Sequence, residues 1–266
     1  MRLALVLVLA LVLLPVQDEV RADVGGSATP APVATTRVVA LPDPGEPAWE
    51  PVTFPRIARH TLYTTHEDAS GPFLRSRSDC AASGRALPVA DVDLATTPRL
   101  SWRWRVRVPT EIADERRKGG DDFAARVYVL FAYDPERASW LERAARLAAR
   151  HLYGRELPGE AINYVWTHGT PAGERWTNPF SDRAQMVALR QGPAADPEAW
   201  QTEVVDLRAD GRALLGSPLP AITAIALMTD SDNACGRASA DFAGFRWLGP
   251  AADGATRDDA PGIAAP

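Results

Sequence analysis

The stretch Gly119–Phe131, GGDDFAARVYVLF, decides how the rest of the chain is read. Two glycines loosen the backbone, two aspartates follow, and an alternating run then begins. Successive strand residues point to opposite faces, so Phe123, Ala125, Val127, Val129 and Phe131 share one side. Asp122, Ala124, Arg126, Tyr128 and Leu130 share the other. The first side is apolar and suits a core. The second sets an acid, a guanidinium and a phenol among smaller residues, which predicts a polar site on that face or at its loop end. This is the pattern of a sandwich strand.

The same period runs through Arg99–Val108, RLSWRWRVRV. Trp102, Trp104, Val106 and Val108 fall on one side and Arg103, Arg105 and Arg107 on the other, with Pro109 closing the strand. The tryptophans read as core. The arginine row reads either as a solvated sheet face or as the floor of a shallow groove for an acidic or hydroxyl-rich ligand. Further strands are predicted at 60–65, 73–78, 84–89, 161–168, 185–190, 200–207, 222–229 and 239–248. Pro- and Gly-rich connections, without alternation of strands and helices, predict an all-β fold, an antiparallel jelly-roll-like β-sandwich. One inserted α-helix is expected at about residues 136–153, where Trp140, Leu141, Ala144, Leu147, Ala148 and Leu152 recur with helical spacing. A short helix is expected at Asp206–Leu215, before Gly216, and the charged loop Thr110–Gly120 is expected to be mobile.

The 266 residues are 46% hydrophobic and 24% charged, a globular balance for one domain once the ends are set aside. A formal charge of −5 argues against a dedicated nucleic-acid or anionic-membrane binder. Residues 1–22 read as a signal peptide: Arg2, then an apolar run of about 14 residues, short against the ~20 of a membrane span. Residues 23–50 read as a Pro/Ala-rich linker with at most one short strand, 51–249 as the sandwich, and 250–266 as a disordered tail. The expected location is periplasmic or secreted, with no membrane span after cleavage, and the expected state is monomeric. Export also makes a Cys80–Cys235 disulfide the favoured reading over two buried thiols.

Two acidic clusters carry the candidate chemistry. Asp121 and Asp122 precede one strand, and Asp230, Asp232 and Asn233 follow another, Ala221–Met228. If those strands are antiparallel neighbours, all five meet at one rim. Such oxygens would suit Ca²⁺, the only cofactor suggested, although the loop is not an EF-hand: Cys235 stands at the glycine position and Asp241 at that of the bidentate glutamate. The alternative is that they cap turns and pair with arginines such as Arg126. Arg126 and Tyr128 extend the rim onto the adjoining face, and Trp166 and Trp176 are the aromatic candidates, Trp166 also fitting the core. No catalytic residues are identified. The four histidines lack metal spacing and no nucleophile motif is present. These features suggest a non-catalytic domain binding a carbohydrate, a cell-envelope glycan or another polar small molecule. A polysaccharide hydrolase or lyase using Asp122 and Asp230, and a structural envelope protein, stay open as alternatives.

The order SWRWRV (101–106), GGDDFAARVYVLF (119–131), NYVW (163–166), TDSDN (229–233) and ADFAGFRW (240–247) resembles the exported bacterial proteins grouped as domain-of-unknown-function family 3047. That resemblance implies a secreted single-domain β-sandwich without an established activity, and it supplies no catalytic residues.

Overall fold

The computed structural model describes residues 37–136 and 159–251. The predicted signal peptide, the first part of the linker, nearly all of the helix predicted at 136–153 and all but the start of the tail lie outside the described residues. The described chain forms thirteen strands in two sheets. In order these are β1 (Val38–Ala40), β2 (Glu50–Val52), β3 (Leu62–Asp68), β4 (Gly71–Asp79), β5 (Ala82–Pro88), β6 (Arg99–Val108) and β7 (Ala125–Phe131). They continue as β8 (Ala161–Thr167), β9 (Arg175–Asn178), β10 (Ser181–Gln191), β11 (Gln201–Asp206), β12 (Ile222–Asp230) and β13 (Arg237–Leu248). One helix, α1 (Leu207–Leu215), stands between β11 and β12, capped by the Asp206 carboxylate accepting the Ala209 N–H at 2.8 Å.

The six-stranded sheet has the order β11-β6-β13-β4-β3, with β1 also on β13, and the seven-stranded sheet runs β2-β5-β12-β7-β8-β10-β9. The chain passes repeatedly from one sheet to the other, as a jelly-roll-like sandwich requires. One pairing departs from the antiparallel expectation. After β8 the chain skips a place to form the edge strand β9, then turns back as β10, which slots in parallel to β8. Period-2 patterns say which face a residue takes but not which strand becomes its neighbour.

The core between the sheets follows from the alternation. Leu100, Trp102, Trp104 and Val106 of β6 point inward against Val127, Val129 and Phe131 of β7 and Tyr164 and Trp166 of β8, all buried. Trp102 and Trp104 meet edge to face with ring centroids 5.3 Å apart, and Trp104 lies 5.9 Å from Trp166. Trp49, within the stretch read as linker, is also fully buried, its ring 5.0 Å from that of Phe245. The described part of that stretch therefore packs with the sandwich.

Gly119–Phe131 departs from the predicted alternation at one residue. Phe123 does not join Ala125 and Val127 in the main core; it packs with Val165, Met186 and Trp176 in a separate cluster. Regular pairing of β7 starts only at Ala125, and Ala124 joins the core in Phe123's place. Before that point, Phe123 is held by single bonds: its N–H donates to the Asp230 carboxylate, and its carbonyl accepts the Asp230 N–H. Gly120 matters here through close approach, since a Cβ at this position would lie 2.2 Å from the Asp114 carbonyl oxygen. The loop before it is also anchored. Glu115 is buried and accepts from the Gly169 N–H at 2.9 Å and the Thr170 hydroxyl at 2.7 Å.

Candidate functional site

β7 and β12 are antiparallel neighbours with Arg126 opposite Met228, so the start of one strand and the end of the other share an edge. Asp121, Asp122, Arg126, Asp230 and Asn233 meet there. Arg126 is almost fully buried and grips Asp230 as a fork, Nε to Oδ1 at 2.8 Å and Nη2 to Oδ2 at 2.5 Å. Its Nη1 lies 3.4 Å from Asp121 Oδ2 and 3.3 Å from the Tyr128 hydroxyl, and Nη2 also donates to the Asp121 carbonyl. The guanidinium sits 4.3 Å from the Phe123 ring centroid, which accounts for the displaced phenyl.

Asp122 has a different task. It is fully buried, its Oδ1 accepts from the Asn233 N–H and side-chain amide, and its Oδ2 accepts the Ala234 N–H at 2.7 Å. The carboxylate thereby organises the 231–236 turn. The disulfide fixes the same turn from the other side: Cys80–Cys235 joins the β4–β5 turn to the β12–β13 turn, and the Cys80 N–H donates to the Gly236 carbonyl at 2.9 Å.

Charge is unbalanced in this cluster, with several carboxylates around one guanidinium. Burial, then the charges of Asp121 and Asp122, push the Asp230 carboxyl up to about 8 against the pull of Arg126. Burial works against the Arg126 cation, yet Asp121 and Asp230 hold its pKa well above the ordinary value. The Tyr128 hydroxyl is pushed up to about 12 by burial. Asp232, half-buried beside them, is raised by burial and by Asp122.

Of the five rim residues read as suiting Ca²⁺, Asp122, Asp230 and Asp232 each offer a carboxylate oxygen within 4.8 Å of the others'. The donor set does not fit that ion. Ca²⁺ asks for about 6–8 oxygens, whereas both Asp122 oxygens are engaged by N–H donors and both Asp230 oxygens by Arg126. Arg126 already supplies the positive charge.

The aromatic candidates separate. Trp166 is 4% exposed, faces the inter-sheet core and donates its Nε1–H to the Gly192 carbonyl at 2.8 Å. Trp176 is half-buried, 6.4 Å from the Phe123 ring, with the Arg116 guanidinium 5.6 Å from its own centroid.

A second constellation lies on the outer face of the six-stranded sheet. Asp241 is fully buried and faces outward from β13; its Oδ1 accepts from Arg75 Nε and its Oδ2 from Arg105 Nε, both at 2.7 Å. Arg107 Nη1 approaches the same carboxylate at 3.6 Å. Aromatic rings cover these cations. Trp200, half-buried just before β11, lies 4.2 Å from the Arg105 guanidinium and 5.2 Å from that of Arg103. Phe73 meets Trp200 edge to face at 5.5 Å and stacks on His66 at 5.5 Å. The Trp200 Nε1–H donates to Asp68 at 3.2 Å, and Arg105 Nη2 reaches the same oxygen at 3.2 Å. The arginine row is visible in RLSWRWRVRV, but the sequence does not mark Trp200, Phe73, His66 and Asp241 as its companions. The available signal was the matching alternation of Phe73, Arg75 and Arg77 on β4.

A family model described as protein of unknown function (DUF3047) matches residues 47–246, most of the chain. The chain belongs to the DUF3047 family. Among solved structures, it is similar to a family 11 carbohydrate-binding module from Clostridium thermocellum in complex with a β-1,3-1,4-mixed-linked tetrasaccharide, at 8% identity and TM-score 0.41, covering 80% of this chain and 95% of that one. It is likewise similar to the family 11 carbohydrate-binding module of the cellulosomal cellulase Lic26A-Cel5E of Clostridium thermocellum, at 8% identity and TM-score 0.42, covering 82% and 97%. No curated protein matches the sequence. Among the described residues of this DUF3047 chain, no helix is long and apolar enough to cross a membrane.

Proposed function

We propose that this DUF3047 chain is an exported, non-catalytic β-sandwich that binds a carbohydrate across the outer face of its six-stranded sheet. The observation that carries the reading is the half-buried Trp200 ring, set on that face against Arg103 and Arg105 and beside Phe73. A sugar offers a C–H face for a ring to stack on and hydroxyls that need fixed polar partners. Arg75 and Arg105 are held in place by Asp241, and Arg105 also by Asp68, before any ligand arrives, which reduces the ordering cost of binding. In this reading Asp121, Asp122, Arg126 and Asp230 hold the rim together and do not touch the glycan. Export is supported by the Cys80–Cys235 disulfide, since such bonds persist in oxidising compartments.

The test is a panel of immobilised neutral and acidic polysaccharides probed with the purified protein and with Trp200→Ala. Retention of the parent on at least one glycan, weakened about 30-fold in the variant, is expected; that corresponds to the roughly 2 kcal/mol typical of truncating a central aromatic contact. Equal retention of both proteins, with the variant's unfolding midpoint unchanged, would remove Trp200 from the site.

A further inference from the structure

The guanidiniums on the outer face are not equally compensated. Arg75, Arg105 and Arg107 share Asp241, and Glu198 adds a second carboxylate at Arg107. Arg103 and Arg246 stand apart. Among the described residues neither forms an ion pair, and Arg103 is bonded through Nη2 to a neutral acceptor, the Ser70 carbonyl at 3.0 Å. Its Nε is buried without a hydrogen-bond partner. The charge of half-buried Asp43 acts on both arginines and that of Asp68 on Arg103, but neither carboxylate pairs with them.

The backbone places these two cations together. β13 carries a bulge between Ala243 and Arg246 in its pairing with β6, with Gly244 at φ +63° inside it. A Cβ at Gly244 would lie 3.2 Å from Arg103 Nε, so the glycine is what lets the Arg103 side chain settle over the bulge. The bulge resets the register so that Arg246 faces Ser101 on β6, two residues from Arg103 and on the same face. Burial, and then the like charge of Arg246, hold the Arg103 pKa below its ordinary value. Trp200 closes one side of the pair, its ring 5.2 Å from the Arg103 guanidinium.

We propose that Arg103 and Arg246 form a subsite for the carboxylate of an acidic sugar, a uronic-acid unit whose ring is stacked on Trp200. This rests on the glycan-binding reading above and names its ligand class. Two guanidiniums lacking an anion of their own match a carboxylate, which a guanidinium fork receives through two parallel hydrogen bonds. A ring beside the fork selects a sugar acid over a bare anion. Neutral glycans leave both charges uncompensated and bind less well at this position.

The experiment compares retention on polygalacturonate, on a neutral mixed-linkage β-glucan and on poly-L-glutamate, for the parent, Arg246→Gln, Arg103→Gln and the surface control Arg117→Gln. Polygalacturonate is expected to bind at least tenfold more tightly than the neutral glucan. That preference should be lost in Arg246→Gln, which removes a half-exposed side chain and leaves the core untouched, and kept in Arg117→Gln. Arg103→Gln should behave as Arg246→Gln does, with its unfolding midpoint as the folding control. Equal affinity for the neutral and acidic glycans, or an acidic preference unchanged in Arg246→Gln, overturns the subsite while leaving glycan binding intact. Poly-L-glutamate binding as tightly as polygalacturonate overturns the sugar part of the assignment. Binding to neither polysaccharide overturns the glycan reading itself.

Discussion

The Arg105 guanidinium lies 4.2 Å from the centroid of the Trp200 ring while its Nε is bonded to the buried Asp241 carboxylate. A cation sandwiched between an indole and a fixed acid cannot swing away, so the outer face of the six-stranded sheet keeps its shape without a ligand. Asp241 is the keystone: Asp241→Ala leaves Arg75 and Arg105 without their shared anion. The expected loss is about 3–5 kcal/mol in urea unfolding, the usual consequence of breaking a buried pair on one side.

Arg126 plays the corresponding part at the rim. Arg126→Ala would leave Asp121 and Asp230 buried with their one shared cation gone. A destabilisation of about 3–5 kcal/mol is expected by denaturant unfolding above pH 8, where Asp230 is charged. Retention of parental stability would mean that water compensates these acids.

The raised Asp230 carboxyl gives a stability dependence on pH with a definite sign. The group titrates at about 8 in the fold against an ordinary value of 3.8. Between those values the folded state holds a proton that the unfolded chain has released, so this contribution to stability falls as pH rises and levels off above about 8. Asp230→Asn, which matches the protonated carboxyl in charge, should flatten that part of the melting-temperature profile between pH 5 and 9. An identical slope in the variant would assign the dependence to other groups.

Reducing the disulfide tests the tie between the two turns. Cys80 and Cys235 are 155 residues apart in sequence, so the bond restricts the unfolded chain over a long loop. Cys80→Ser/Cys235→Ser is expected to lose on the order of 3–5 kcal/mol. The 231–236 turn should remain organised by Asp122, which amide exchange at Asn233 and Ala234 would report as protection kept relative to an Asp122→Ala variant.

How much of this was legible in the sequence depended on the range of the interaction. β6 was read with its observed bounds, because ten residues of alternating tryptophan and arginine admit one phase. The meeting of Asp121 and Asp122 with Asp230 and Asn233 was also foreseeable, since it needs only that two antiparallel strands be neighbours. Period-2 counting puts Phe123 on the wrong face, because the capture of its ring by Arg126 is a tertiary event that it does not register. The parallel β8–β10 pair is invisible to it for a similar reason: a skipped position leaves no local mark. Trp200 read as the first residue of a strand, yet its partners Phe73, Arg103 and Arg105 come from strands about a hundred residues earlier. Asp241 attracted notice only as a residue out of place in a calcium loop, and its bonds to Arg75 and Arg105 give its role.

Where on the sandwich a glycan lies is decided by chemical-shift mapping. A ¹⁵N-labelled sample would be titrated with an oligosaccharide of whichever polymer it retains. The Trp200 indole N–H and the amides around Arg75, Arg103 and Asp241 are expected to shift together, with Asp121, Asp122 and Asn233 unmoved. Shifts confined to the 121–126 and 230–234 rim, with Trp200 silent, would contradict that placement.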